Sequence, residues 1–171
     1  MIIDFKFKNY LSFADECNFT MLANKDKAHE EDLITVGKER LSKTRMIYGA
    51  NASGKSSFMK AMLFISMFIA NSNSLLEKMP IPVDPFKFCD GCFNKPTEFW
   101  ITFIQDEIKY AYQFSCTREK VINERLDIYY SAKPTMIFNR TNTTTYEFNK
   151  DTKLLNELKD RNLENKLFLV T

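Results

Sequence analysis

Hydrophobic and polar positions alternate at the start of the chain and again over its second half. Residues 2–8 read Ile-Ile-Asp-Phe-Lys-Phe-Lys, the period of two that is typical of a strand with one solvent-facing side. Residues 9–13 have the composition of a turn, and a second strand is predicted at about 16–21. Runs of the same kind, at hairpin spacing, predict further strands at 98–104, 108–114, 119–130, 135–140 and 144–149. An antiparallel sheet is therefore expected to dominate the second half.

Between these regions the pattern changes. The charged segment 23–44 contains one short apolar run, Leu33–Val36, and is expected to be a surface excursion with a short strand. Residues 45–48 suit a short buried strand, and residues 57–70 suit a helix that is apolar on nearly every side. A helix of that kind has to be covered over most of its surface, so we expect it to lie between the strands before it and a layer built from later residues.

The remaining elements complete a mixed α/β fold class. Three prolines keep the connector 76–97 out of regular structure, and a short helix at 152–162 precedes a final strand at 166–170. We expect one lobe over 1–171. It divides into strands, loop and first helix (1–75), the connector (76–97), an antiparallel β-subdomain (98–150) and a terminal helix and strand (151–171).

The segment between the predicted strand 45–48 and the helix carries the chemistry. Gly-Ala-Asn-Ala-Ser-Gly-Lys-Ser at 49–56 contains Gly-x-x-x-x-Gly-Lys-Ser, the phosphate-binding loop (Walker A motif) of nucleoside triphosphatases. Gly49 and Gly54 permit backbone angles that let successive N–H groups converge on one anion. A helix opening near Gly54 adds its positive end, Lys55 reaches the β- and γ-phosphates, and Ser56 can ligate Mg²⁺.

Composition narrows the functional classes. Forty-four per cent hydrophobic residues in 171 suit one soluble domain with a core, and the net charge of +2 gives no global basic field for nucleic acid. The basic cluster at 38–45 is short, so a solvated loop is favoured, with a nucleic-acid contact as the alternative. No apolar run approaches the ~20 residues of a membrane span. Four cysteines without a secretory signal predict reduced thiols and a cytoplasmic protein.

Three other constellations have simpler interpretations beside the functional ones. Ile101–Ile104 followed by Gln105-Asp106-Glu107 has features of a Walker B strand, but a hairpin turn explains the same residues. Cys89 and Cys92 have half the spacing of a zinc knuckle, with an exposed loop thiol pair as the alternative. The single histidine, His29, is the one possible base for a nucleophilic triad and is expected to lie in a solvated loop.

Two stretches support a family resemblance. Asn-Tyr-Leu-Ser-Phe at 9–13, followed by the loop at 49–56, resembles the start of ABC-type ATPases of the SMC, RecF and OLD group, closest to the bacterial abortive-infection, OLD-like branch. The strand opening at 96–99 and the tyrosine-rich hairpin after it are similar to that branch. The resemblance implies ATP and Mg²⁺ as cofactors, with contacts from the loop residues Gly49, Asn51, Ala52, Ser53, Gly54, Lys55, Ser56 and Ser57. Leu11 stands where the family often has a basic residue, and Ala52 replaces a common glycine.

The chain also departs from that family. It contains no Leu-Ser-Gly-Gly signature and no clear Walker B strand followed by a switch histidine. The resemblance places these parts in the second half of the ATPase, and it implies a dimer that sandwiches ATP and signals to a nuclease or toxin effector. We therefore expect the N-terminal lobe of a longer ATPase, with phage defence or DNA-associated work as its setting. The alternatives are a self-contained P-loop kinase or GTPase and a non-catalytic interaction module.

Overall fold

The computed structural model describes residues 1–26, 30–150 and 152–171. Its strands are β1 (Ile2–Lys8), β2 (Cys17–Thr20), β3 (Leu33–Val36), β4 (Glu39–Ser42), β5 (Thr97–Gln105), β6 (Ile108–Cys116), β7 (Val121–Tyr129), β8 (Thr135–Thr141) and β9 (Thr145–Phe148). The helices are α1 (Lys55–Asn71) and α2 (Lys153–Arg161), and short 3₁₀ turns lie at Glu30–Asp32, Ser72–Ser74, Cys92–Asn94 and Phe168–Val170. Neither described helix is long and apolar enough to cross a bilayer.

Seven of the strands form one antiparallel sheet in the order β2-β1-β5-β6-β7-β8-β9, and β3 pairs with β4 in a small separate sheet. Alternation decides this arrangement, since each long strand presents one apolar face and one polar face. The mixed α/β class and the antiparallel second half are confirmed. The predicted strand at Leu33–Val36 is also confirmed as one arm of a hairpin.

Helix α1 packs on the apolar face of this sheet. Phe64 stacks on Phe99 of β5 at a ring-centroid distance of 5.1 Å, and Phe58 meets Phe5 of β1 edge-on at 6.0 Å. Phe68 lies against Phe114 of β6 at 5.6 Å. Each aromatic ring buried in this way contributes a large apolar area, so this face of α1 is held against the sheet.

The other side of α1 corrects the expectation that the helix is covered over most of its surface. Met59, Leu63 and Met67 are 58%, 57% and 55% exposed, whereas Phe58, Phe64 and Phe68 are buried. Spacings of four residues put the three exposed side chains in one row. The described residues place no second layer over that row.

Residues 45–48 were predicted as a short buried strand, and that prediction is wrong. They have no regular secondary structure, and Met46 and Tyr48 are 86% and 90% exposed. A strand needs a neighbour for its main-chain hydrogen bonds, and no strand in the described parts of the chain pairs with this segment. Sequence alone specifies the strand-like composition but not the partner.

The predicted final strand at 166–170 is also wrong, because a buried side chain takes the place of a neighbouring strand. The N–H groups of Phe168 and Leu169 donate to the Glu124 carboxylate at 2.7 and 2.9 Å. The Lys166 carbonyl accepts from Arg140 at 2.7 Å. With its main-chain groups satisfied by side chains, the segment closes into a 3₁₀ turn.

Candidate functional site: the phosphate loop

The motif residues form a tight turn that leads directly into α1. Gly54 is the residue before the helix and adopts φ +96°, and its carbonyl accepts the first helical bond from Phe58 N at 2.9 Å. Within the turn, Ser53 N donates to the Ala50 carbonyl at 3.3 Å. The helix that follows is 17 residues long, so its free N–H groups and positive dipole end face the loop. The prediction that a helix opens at Gly54 is confirmed.

The surroundings of the two motif glycines differ, and only those of Gly54 exclude a side chain. A Cβ on Gly49 would lie 2.8 Å from Ser53 Oγ. A Cβ on Gly54 would lie 3.0 Å from Phe13 Cζ and 3.3 Å from Ser12 Oγ, in a left-handed conformation that disfavours side chains. The main chain at Gly54 can therefore turn this tightly, and approach the Ser12-Phe13 turn this closely, only without a side chain. Gly49 is not among the glycines with positive φ and has the rotatable Ser53 hydroxyl beside it, so the prediction of special backbone angles is confirmed at Gly54 and not at Gly49.

Ala52 occupies the position that the resemblance associates with glycine, and it has φ +63°. A left-handed conformation costs an L-residue with a Cβ roughly 1–2 kcal/mol. The loop thus keeps its turned shape at some conformational cost. Backbone strain of this kind is typical of ligand-binding positions.

The Lys55 side chain folds back over the loop. Its Nζ donates to the carbonyls of Gly49 at 2.7 Å and Ala50 at 2.6 Å. The ammonium is therefore held against the carbonyl oxygens at the start of the loop. It has one further N–H to offer an anion there, because an ammonium carries three donors.

The hydroxyl groups that follow lie in the first helical turn. Ser56 is exposed and Ser57 is half-buried, and Asn51 in the turn is exposed. Across residues 1–26, 30–150 and 152–171, no group of three or more His, Cys, Asp or Glu side chains is placed to hold a metal ion. An exposed serine hydroxyl is an oxygen donor of the kind that Mg²⁺ accepts beside phosphates and water.

The turn at residues 9–13 braces the loop, which sequence reasoning did not anticipate. Asn9 Nδ2 donates to the carbonyls of Cys92, Lys95 and Pro96 at 2.9–3.2 Å, and Leu11 N donates to the Asp84 carbonyl at 2.9 Å. These bonds tie the turn to the connector and place the Phe13 ring against Gly54. The sequence Asn-Tyr-Leu-Ser-Phe indicates only a family resemblance. Its contact with Gly54 depends on the tertiary fold.

A pocket of about 220 Å³ opens beside the loop. Its wall combines Ser53, Gly54 and Lys55 with Phe58, with Ile47 and Tyr48 before the loop, and with the N-terminal residues Phe13, Cys17, Asn18 and Phe19. Burial raises the pKa of the Cys17 thiol above its ordinary value. The phosphate loop and an aromatic pocket therefore form one continuous surface.

The other candidate sites resolve differently. Asp106 and Glu107 form the tight turn of the β5–β6 hairpin, with φ +50° and +62°, and neither lines the pocket beside the loop. The hairpin interpretation is confirmed.

Cys89 and Cys92 are joined in a disulfide, which corrects the prediction of reduced thiols for this pair, while Cys17 and Cys116 are free. His29 lies outside the described residues.

Comparison with known proteins gives one match. Residues 46–167 match the family described as "AAA domain, putative AbiEii toxin, Type IV TA system". The matched region begins just before the phosphate loop and spans α1 and the sheet from β5 to β9. Neither curated proteins nor solved structures gave a match. Since more than half of the chain is matched, the protein belongs to this AAA family of nucleotide-binding ATPase domains, which is related to abortive infection.

Proposed function

We propose that residues 49–57 bind the triphosphate of ATP together with Mg²⁺. The observation that carries this proposal is the placement of the Lys55 ammonium within a turned loop, at the open N-terminus of a 17-residue helix. A helix N-terminus with converging N–H groups is a ready anion site. Family membership independently favours a nucleotide as the anion.

Each loop residue then has a defined task. The N–H groups of Gly54 and Lys55 cradle the phosphates, and the Lys55 ammonium exchanges a loop carbonyl for a phosphate oxygen. Ser56 holds Mg²⁺ through its hydroxyl, while Asn51 and Ser57 donate at the edges of the phosphate chain. Mg²⁺ neutralises charge on the β- and γ-phosphates when it is bound. Gly49 and Ala52 act through the shape of the loop.

We further propose that this chain is the N-terminal lobe of an ABC-type, OLD-like ATPase and hydrolyses ATP only with a second lobe. The described residues supply no carboxylate at the loop pocket. The exposed row Met59, Leu63 and Met67 and the unpaired segment 45–48 suit a layer supplied by that lobe, because apolar helix faces and strand-like segments gain stability when covered. A role in phage defence, signalled to a nuclease or toxin, follows from the abortive-infection relationship.

Binding is tested by titrating ATP and Mg²⁺ into the wild type and the Lys55→Ala variant, with isothermal calorimetry as the readout. Loss of a charge-assisted contact is expected to weaken binding about 10- to 100-fold. The free energy of unfolding should stay within about 0.5 kcal/mol of wild type, as for other surface substitutions. Lys60→Ala is the matched control, since Lys60 is an exposed lysine of the same helix. Equal affinities of Lys55→Ala and wild type would contradict the proposal.

The requirement for a second lobe is tested by phosphate release from the chain alone. Turnover well below about 1 per second, the low end of ordinary enzymes, is expected. Analytical ultracentrifugation with ATP and Mg²⁺ then reports whether two copies associate. Turnover at an ordinary enzymatic rate by the isolated monomer would show that the chain is a self-sufficient ATPase.

A further inference from the structure

We propose that the Cys89–Cys92 disulfide is a thiol–disulfide exchange site, and that its reduction by a dithiol weakens the hold of the phosphate loop on a triphosphate. The effect on binding rests on the proposed function, because it assumes that the loop binds phosphate. The disulfide and the contacts that link it to the loop do not depend on that assumption.

The disulfide is open to attack by an external thiolate. Cys89 is exposed and Cys92 is half-buried. Gly91 between them has a φ of +73°, and no described atom beyond its chain neighbours lies within 4 Å of the place where its Cβ would be. Exposed disulfides are the ones that exchange readily with other thiols, so this pair fits a reversible role better than a structural one.

The exchange takes two steps. A thiolate of the dithiol attacks Sγ of Cys89, which forms a mixed disulfide and releases Cys92 as a thiolate. The second thiolate of the dithiol then attacks its own sulfur in the mixed disulfide, which closes the disulfide of the reductant and releases Cys89. The two thiol protons of the reductant pass through water to the two cysteines. The dithiol is oxidised by two electrons, and the protein disulfide is reduced to two thiols.

The deeper cysteine of the pair, Cys92, is bonded to the turn at residues 9–13. Its carbonyl accepts from Asn9 Nδ2 at 3.0 Å, and the carbonyls of Lys95 and Pro96 accept from the same amide at 2.9 and 3.2 Å. Asn9 is 5% exposed, and its Oδ1 has no hydrogen-bond partner among the described residues. The position of the Asn9 amide therefore depends on the bonds that its Nδ2 donates to these three carbonyls.

The other end of the same turn contacts the phosphate loop. Ser12 Oγ and Phe13 Cζ lie 3.3 and 3.0 Å from the point where a Cβ of Gly54 would be. Gly54 directly precedes α1, and its carbonyl accepts the first helical bond. A shift of the turn therefore changes the surroundings of the residue at which the loop meets the helix.

Reduction acts on this path at its first contact. The disulfide closes residues 89–92 into a small ring, and a cross-link removes conformational freedom from the chain between its ends. Once the ring is open, the Cys92 carbonyl has more freedom to leave the Asn9 amide. The turn stays attached through Leu11 N, which donates to the Asp84 carbonyl at 2.9 Å. Reduction thus weakens the support of the phosphate loop without unfolding the turn.

Counting thiols tests the exchange site. After treatment with a small-molecule disulfide, the denatured protein should show two free thiols, those of Cys17 and Cys116, and it should show four after reduction. Four free thiols in the treated sample would mean that Cys89 and Cys92 do not join, and would overturn the inference.

Calorimetry tests the effect on binding. Oxidised and dithiothreitol-reduced wild type are titrated with Mg²⁺ and either ATP or inorganic tripolyphosphate. Reduction should weaken the binding of both ligands about 2- to 12-fold, the range for one hydrogen bond. The double variant Cys89→Ser, Cys92→Ser is the control, since it should bind as the reduced wild type does and should not respond to dithiothreitol. Equal affinities of the oxidised and the reduced wild type would overturn the inference.

Hydrogen exchange needs no ligand and therefore separates this inference from the proposed function. The amides of Leu11 and Phe58 donate to the carbonyls of Asp84 and Gly54, and reduction should speed the exchange of both about 2- to 12-fold. Amides in the centre of β6 should not change. If neither ligand binds either form of the protein, the proposed function fails, and exchange still decides whether the disulfide is coupled to the loop. Unchanged exchange at Leu11 and Phe58 would overturn that coupling.

Discussion

The phosphate loop and the buried Glu124–Arg140 pair satisfy their polar groups in opposite ways. Glu124 and Arg140 are each 1% exposed, and each is bonded to several groups of the same chain. The loop residues 49–53 are exposed, and the loop's cation bonds only to nearby carbonyls. One region is closed to ligands and the other is open to them.

The closed region holds the last part of the chain against the sheet. The Glu124 carboxylate accepts from Tyr112 Oη at 2.8 Å as well as from the two N–H groups of the final 3₁₀ turn. Arg140 donates to the carbonyls of Lys166 and Glu164, and its Nη1 lies 3.7 Å from Glu124. Burial raises the pKa of Glu124, and these hydrogen bonds oppose the rise. A buried charge pair whose polar atoms are hydrogen-bonded holds its neighbours in one defined arrangement. Removing one partner lowers the free energy of unfolding strongly, because the other charge stays buried.

The difference separates stability from binding. Substitutions in the closed region should lower the free energy of unfolding and leave the intrinsic affinity for phosphate unchanged. Substitutions in the open region should lower that affinity and change the free energy of unfolding little. The following predictions test the stability side of that separation, from the largest expected effect to the smallest.

Arg140→Met should cause the largest loss. It leaves the Glu124 carboxylate buried without its cation and removes the donors to the 163–166 carbonyls, so the free energy of unfolding should fall by about 3–5 kcal/mol. Urea denaturation followed by circular dichroism measures it. Arg125→Met is the control, because its pair with Asp127 is part-exposed and such pairs contribute about 1 kcal/mol or less. Equal losses for the two variants would show that the buried network has no special weight.

The two sides of α1 give the next contrast. Phe64→Ala removes a ring that stacks on Phe99 and Phe68, and should cost about 3 kcal/mol, the lower end for such truncations. Leu63→Ala, one residue earlier and 57% exposed, should cost less than about 0.5 kcal/mol. Thermal unfolding of the isolated chain measures both. A loss above about 2 kcal/mol for Leu63→Ala would show that its side of the helix is already covered.

Alkaline titration gives a smaller, pH-dependent effect. Burial, followed by the charges of Asp84 and Cys116, raises the pKa of Tyr10 to about 12 from 10.0. The folded pKa is above the unfolded one, so the unfolded state releases the proton first. This contribution to stability is present below pH 10 and is lost between pH 10 and 12, up to about 2 kcal/mol. Tyr10→Phe should flatten this part of the stability–pH curve, and Tyr130→Phe, at an exposed position, should not.

The sequence predicted features that depend on a few neighbouring residues. Alternation at 2–8 gives β1 within its observed bounds, and the motif at 49–56 locates the start of α1. Sequence reasoning failed where a distant partner decides: residues 45–48 lack a strand to pair with, and residues 166–170 bond to Glu124 and Arg140 instead of a strand. The brace of Phe13 on Gly54 joins residues that are far apart in the chain, and no local pattern encodes it.

The smallest effect concerns the shape of the open region itself. Ala52 has φ +63°, a conformation that glycine adopts without the penalty of a Cβ, while glycine also makes the unfolded chain more flexible. These two effects oppose each other, so Ala52→Gly should change the free energy of unfolding by no more than about 1 kcal/mol. Stabilisation is expected, because relief of the left-handed penalty outweighs the added flexibility of the unfolded chain. Ala50→Gly is the control, since Ala50 is not among the residues with positive φ, and it should destabilise slightly. If chemical denaturation shows that Ala52→Gly destabilises as much as Ala50→Gly, the left-handed turn does not persist in solution, and the loop geometry on which phosphate binding depends would have to form on contact with the ligand.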